Sequence, residues 1–172
     1  MNKYMHTGDM IVNLYAHDRW RKTNYFNTRV IFPSDINRII DFIKENFPAE
    51  NEWVMEVEHA VMKDKCIISV LDNEIVGFAC YDCIGKGYFG PFGVIKERRN
   101  YGIGTELFYE CLDQMKFCGY GYAIIGCIDN LTKTFYEKKA NAIYIPNSEP
   151  INTLYKRRIK TAIEFGDDPF NV

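Results

Sequence analysis

The chain has 172 residues, of which 47% are hydrophobic and 26% charged, and 21 basic against 23 acidic side chains leave a net charge of −2. A chain of this length buries roughly 70% of the surface its unfolded form exposes, enough for one core without staples. These values exclude disorder, collagen and coiled coil, and the lack of a basic excess argues against a protein that holds nucleic acid through its phosphates. The densest basic run, Lys156, Arg157, Arg158 and Lys160, is soon followed by Asp167 and Asp168 and reads as a solvated helix face.

In chain order, Met10–Tyr15 reads as a short strand and His17–Asn24 as polar connection. Asn27–Phe32 is a β-branched run ended by Pro33, with Ser34 as the expected cap of a helix carrying Ile36, Ile39, Ile40 and Ile43 at helical spacing. Pro48 closes that helix, and Trp53, Val54, Val57 and Val61 predict a second. The period then changes. Cys66–Leu71 and Ile75–Ile84 read as strands joined by Asp72-Asn73-Glu74, a hairpin without the residues of the tightest turn, and Tyr88–Ile95 is a third strand. A long helix over Gly104–Cys118 ends at Gly119, a C-terminal cap; a strand at Tyr122–Ile128, a short helix at Leu131–Lys139 and a strand at Ala142–Ile145 follow.

Six cysteines are present: Cys66, Cys80, Cys83, Cys111, Cys118 and Cys127. Cys80 and Cys83 form a CxxC inside an apolar strand pattern, where an offset of three sends the two side chains to opposite faces. No second CxxC or nearby histidine completes a zinc set, so buried reduced thiols of a cytoplasmic protein are expected, with no metal. No apolar run approaches the ~18 residues that span a bilayer, and the first fifteen residues are too polar for a signal peptide.

The segment that carries chemistry is Val94-Ile95-Lys96-Glu97-Arg98-Arg99-Asn100-Tyr101-Gly102-Ile103-Gly104-Thr105. It joins a strand to the long helix through a turn with two glycines. Backbone N–H groups at a helix start, aided by the dipole, bind anions, and phosphate is the expected one. Gly102 and Gly104 are expected to let the backbone approach it without a clashing Cβ. A Walker loop needs a Lys-Ser or Lys-Thr pair after its last glycine, whereas Gly104 is followed by Thr105-Glu106, and a dinucleotide fingerprint needs a third glycine where Leu107 stands.

The Arg99-x-x-Gly102-x-Gly104 spacing resembles the coenzyme A pyrophosphate loop of the GNAT superfamily of N-acetyltransferases. Phe135-Tyr136-Glu137-Lys138, on a short helix after the next strand, matches a second segment of that family. The order of elements from about Asn27 to Ile145 is also similar to its fold. The resemblance implies an α/β (α+β) class protein: a central mixed, mostly antiparallel sheet flanked by helices. It implies one domain over 1–172, with an N-terminal extension (1–26), a core (27–146) and a tail (147–172). Acetyl-CoA would be the co-substrate. Phe92 and Val94 would lie beside its acetyl end, Val94 holding the carbonyl through its N–H. Arg99, Asn100, Tyr101, Gly102, Ile103, Gly104 and Thr105 would cradle the pyrophosphate. Tyr136 would protonate the departing thiolate, a task suited to a phenol with pKa near 10.

The sequence departs from the family at three places. Asp129 stands where Asn is usual, with Asn130 adjacent, and the resemblance places both among the cofactor-binding residues; Thr132 replaces an Ala; and Lys139-Ala140-Asn141-Ala142 replaces the usual Leu-Gly-Phe. No general base identifies itself. Asp82, a carboxylate on an apolar strand, is the first candidate, and Glu56, Glu58, Glu97 and His59 follow. The loop Phe47–Trp53, with two acids and a Trp, suits a cationic amine. The expected activity is acetylation of a primary amine of a small molecule or peptide. A protein N-terminus or lysine as acceptor, and a non-catalytic acyl-CoA-binding module, are the alternatives. Neither nucleic acid nor membrane is an expected partner, whereas a homodimer is, by analogy with the family.

Overall fold

The computed structural model describes residues 6–16, 26–50 and 52–149. In chain order its elements are β1 (His6–Asn13), β2 (Asn27–Val30), α1 (Ile36–Asn46), α2 (Trp53–Val61), β3 (Cys66–Leu71), β4 (Glu74–Tyr81), β5 (Tyr88–Val94), α3 (Ile103–Phe117), β6 (Tyr122–Asp129), α4 (Asn130–Ala140) and β7 (Ile143–Tyr144). Contacts divide the chain into two units: Asn13–Ala123, and the described residues of Met1–Val12 with Ile124–Val172. The expected connection at His17–Asn24 and the basic run at Lys156–Lys160 lie outside the described residues.

In the first of these units β2, β3, β4 and β5 form an antiparallel ladder in that order. β3 is apolar at every position but Ser69 because both of its faces are covered. Cys66, Ile68 and Val70 meet Ile39, Ile40 and Ile43 of α1 and Val57, Ala60 and Val61 of α2 in one buried cluster with Phe78 and Cys80 of β4. α3 lies on β3 and β4 as well, and Leu107 comes so close to Gly77 that a Cβ there would stand 2.9 Å from its Cδ1. Its last turn closes as a Schellman motif on Gly119 (φ 88°), with Gly119 N–H donating to Lys116 O and Tyr120 N–H to Met115 O.

Three local expectations are corrected. Ser34 does not cap α1: Pro33–Asp35 form a 3-10 turn, and the buried Asp35 carboxylate accepts from Phe32 N–H (3.1 Å). Asp35 also pairs with Arg29 (2.7 Å) and Arg38 (3.0 Å), and Arg29 above all holds its carboxyl below the usual range. An ionised acid met by two guanidiniums is a stronger anchor than a neutral hydroxyl. The hairpin between β3 and β4 is the tightest kind after all. Leu71 faces Glu74, so the loop is Asp72-Asn73, and both have positive φ (51° and 65°), which Asp and Asn tolerate. β4 stops at Tyr81 rather than Ile84, because Asp82 turns left-handed (φ 61°).

In the second unit β1 pairs antiparallel with β7, Met10 facing Tyr144, and β6 lies on the other side of β1. β7 is only two residues long; beyond it Ile145 N–H reaches Asp9 O, and Asp9 N–H donates to the buried Ser148 hydroxyl. No helix among the described residues is long and apolar enough to cross a membrane.

Gly77→Ala is expected to cost about 1–3 kcal/mol, because the new methyl meets Gly93 O and Leu107 Cδ1, both at 2.9 Å. A urea midpoint equal to that of the native chain would contradict this packing.

Candidate active site

The end of β5 and the start of α3 frame the loop singled out by sequence. Ile95 N–H donates to Val76 O (3.0 Å), and Gly77 is the residue facing Val94. Hydrogen-bonded and non-bonded pairs alternate along an antiparallel ladder, so Gly77 and Val94 form a non-bonded pair. The N–H and C=O of Val94 therefore point away from β4. Its carbonyl accepts from Arg99 Nε at 3.1 Å, which ties the loop to the strand.

Past Val94 the chain makes a 3-10 turn at Lys96–Arg98, and Arg99 is extended. Asn100 (φ 67°) and Gly102 (φ 93°) are then both left-handed. Such alternation turns successive N–H groups into one concavity. The first helical bond of α3 is Glu106 N–H to Gly102 O, so the N–H groups of Ile103, Gly104 and Thr105 belong to the unsatisfied first turn. Nothing lies within 4 Å of where a Cβ on Gly102 would stand; its requirement is the backbone angle, and the space above it is open. Gly104 differs from expectation. A Cβ there would be 3.3 Å from the Phe92 ring and 3.6 Å from Val94, so this glycine serves helix-on-strand packing. Ile103 is buried and contributes only its backbone, whereas Arg99, Asn100 and Tyr101 are exposed. Unsatisfied N–H groups at a helix start favour an anion.

Tyr136 lies on α4 and is buried. Burial, and then the Asp129 charge, push its hydroxyl well above the ordinary phenol value, so it is held as a proton donor. The departures from the family pattern explain one another here. Asp129 accepts from Leu131 N–H (2.9 Å) and Thr132 N–H (2.7 Å), and the Thr132 hydroxyl lies 3.3 Å from Asp129 N–H, a capping box closed by Thr. The Asp129 carboxylate thus serves its own helix, with the exposed Asn130 beginning it. Asn141 (φ 49°) ends α4 in the left-handed conformation that a glycine usually supplies.

Asp82 sits at the end of β4, but the structure gives it other work. Its side chain is nearly buried and accepts from Lys65 Nζ, Tyr120 OH (2.5 Å) and Gly87 N–H (2.6 Å). Burial opposes ionisation, yet those three donors outweigh it and hold the carboxyl below its usual range. A carboxylate so satisfied pins the Asp82–Gly87 connection and is a poor proton acceptor. Glu56 on α2 has the opposite environment: burial, with the charges of Glu52 and Glu50, raises it to about 7. His59 of the same helix lies 2.8 Å from Lys63 Nζ. The signal that sequence reasoning missed is Gly93 in the run Phe92-Gly93-Val94. A Cβ there would stand 2.8 Å from the Phe47 ring, and Phe47 packs with Trp53 and Phe78. That aromatic cluster seats the connection between α1 and α2 beside Val94; a glycine in an apolar strand marks such close approach.

Residues 33–140 match the family model described as Acetyltransferase (GNAT) family. Among solved structures, a GCN5-related glucosamine N-acetyltransferase region of a fungal multi-domain GH3 β-N-acetylglucosaminidase superposes with TM-score 0.65 at 16% identity, over 84% of this chain and 20% of that one. A GCN5-related N-acetyltransferase from Sphaerobacter thermophilus gives 0.59 at 18%, over 83% and 50%. A GNAT family acetyltransferase from Brucella melitensis, solved with acetyl-CoA, gives 0.54 at 18%, over 73% and 92%. The chain spans only a fifth and half of the first two, and these likenesses establish the fold. No curated protein matches the sequence.

Asp82→Asn is expected to lower the melting temperature most at neutral pH. The depressed carboxyl contributes its stability above the ordinary carboxylate range and loses it as pH falls through the lowered value, so the gap to the native protein narrows in acid. Melting curves from pH 7 to pH 3 read this directly; a gap independent of pH would remove the charge from the account.

Proposed function

The chain belongs to the acetyltransferase (GNAT) family, and we propose that it moves the acetyl group of acetyl-CoA to a primary amine of a small molecule or peptide. The observation that carries this reading is the open N–H nest at Asn100–Thr105, built on a left-handed Gly102 in the loop that follows Val94, whose N–H turns away from β4. When bound, acetyl-CoA supplies an activated acyl carbon; the rest of the chemistry falls to side chains and backbone. The loop N–H groups hold the pyrophosphate, with the helix dipole adding about half a positive charge. The Val94 N–H holds the acyl oxygen and favours it as charge develops there, an effect that contributes several kcal/mol when preorganised. Tyr136 keeps its proton at neutral pH and donates it to sulfur.

The arriving amine has to be neutral to attack. Glu56, poised at about 7, is the acid we assign to accept its proton, in preference to the saturated Asp82. Trp53, preceded in sequence by the acids Glu50 and Glu52, supports a cationic acceptor. The free thiols of Cys66, Cys80, Cys83, Cys111 and Cys118 suit a reducing compartment, and we place the reaction in the cytoplasm.

Tyr136→Phe should lower kcat by about 10²–10⁴-fold with the acetyl-CoA Kd unchanged, read by coenzyme A release on an amine panel and by calorimetry. Gly102→Val should weaken acetyl-CoA binding by about tenfold or more, since the backbone angle is lost and the nest is filled. Normal turnover by the first variant would remove the acid role, and normal affinity of the second would remove the cradle. With the active amine, kcat/KM should rise with pH around a midpoint near 7, and Glu56→Gln should abolish that limb; a limb that survives the substitution assigns the base elsewhere.

A further inference from the structure

Arg99 is exposed, yet its Nε–H turns back along the chain and donates to the Val94 carbonyl at 3.1 Å. The backbone between the two is already held by bonds of its own. Ile95 N–H reaches Val76 O (3.0 Å), Arg98 N–H reaches Ile95 O (3.0 Å), and Arg99 N–H reaches Lys96 O (3.4 Å). These fix the 3-10 turn at Lys96–Arg98 and the extended Arg99 that leads into the left-handed Asn100. The nest therefore has its own supports, and the side-chain bond adds something different. Val94 faces Gly77 as a non-bonded pair, so no ladder bond to β4 sets the direction of its polar groups. Its N–H and C=O lie side by side on the same edge of the strand, and Arg99 Nε supplies the fixed donor to that carbonyl.

We propose that Arg99 is a positioning residue for acyl transfer: its Nε–H holds Val94 in the orientation that presents the Val94 N–H to the acyl oxygen. The proposal rests on the reading of Val94 as the donor to that oxygen. The action belongs to the hydrogen bond and not to attraction between the guanidinium and the pyrophosphate. A planar guanidinium suits the task because its Nε–H has a set direction, whereas a lysine ammonium would have to be held in place as well. Two substitutions separate the bond from the charge. The amide nitrogen of a glutamine stands as many bonds from the backbone as Nε does, so Arg99→Gln keeps a donor at that place and removes the charge. Arg99→Met keeps an unbranched stem and removes both.

The test is difference infrared spectroscopy of acetyl-CoA, isotope-labelled at the acetyl carbonyl, bound to the full chain. It is read beside kcat on the active amine and the acetyl-CoA Kd from calorimetry. In the native chain the carbonyl band should lie below that of free acetyl-CoA, because a hydrogen bond to the oxygen weakens C=O. Arg99→Met should lose most of that displacement and lower kcat by about ten- to a hundredfold, as small misplacements do. Its Kd should change by less than about threefold, since the nest keeps its backbone bonds. Arg99→Gln should keep the band position and most of kcat. A Met variant that weakens binding with kcat unmoved would make Arg99 a phosphate ligand, and equal losses in the Gln and Met variants would assign the effect to charge. Either outcome overturns the proposal, as does a Met variant with the native band and native turnover. A native chain that binds acetyl-CoA with no displaced band removes the Val94 reading itself, and the proposal with it; one that binds no acetyl-CoA removes the cradle as well.

Discussion

The register between β4 and β5 is the constraint from which the rest of the candidate site follows. Gly77 and Gly93 have no room for a Cβ: the first is closed in by Gly93 O and Leu107, the second by the Phe47 ring. Their missing side chains let α3 settle on one face of the pair and the aromatic cluster of Phe47, Trp53 and Phe78 on the other. With that register, Val94 falls at a non-bonded position and turns both backbone polar groups away from β4. A slip of one residue would turn them inward and send every side chain of β5 to the wrong face. Arg99 then uses the Val94 carbonyl as its anchor, so the loop begins at a defined place. The neighbouring N–H is the one we assign to the acyl oxygen.

Two carboxylates in the Asn13–Ala123 unit show how environment divides similar groups. Asp82 is surrounded by donors from three elements, Lys65, Tyr120 and the Gly87 backbone, and remains charged despite its burial. Glu56 is driven toward neutrality by burial and by the charges of Glu52 and Glu50. Proton transfer at neutral pH needs the second kind, and a stiff turn needs the first. The sequence shows both as acids near apolar residues; only the donors arriving from distant positions tell them apart.

That distinction marks the limit of what was legible in the chain. The helices of the Asn13–Ala123 unit, the strands Cys66–Leu71 and Tyr88–Val94, and the nest before α3 were readable because their signals are local: isoleucines at helical spacing, a continuous apolar run, glycines between a strand and a helix. The corrections all involve a partner that spacing cannot show. Asp35 displaces Ser34 because Arg29 and Arg38 converge on it. Asp72-Asn73 form the tight turn because both adopt positive φ, which their residue types allow without demanding. Asp129 and Thr132, read singly as departures from the family pattern, become one cap when seen in three dimensions.

The same contrast explains why the fold is shared with proteins only 16–18% identical to this chain while the acceptor is not transferable from them. A nest of N–H groups at a helix start is made by backbone, and its side-chain requirements reduce to residues that tolerate the left-handed conformation at Asn100 and Gly102 and a small one at Gly104. Other positions in the loop carry less: Tyr101 is exposed and Ile103 packs inward. Recognition of an amine has no such backbone solution. It depends on which charged and aromatic side chains stand on α2 and the connection before it, and those change without disturbing the ladder beneath. On the proposed reading, Glu50, Glu52, Trp53 and Glu56 are the positions that would set the acceptor, on a surface held in place by Phe47 against Gly93.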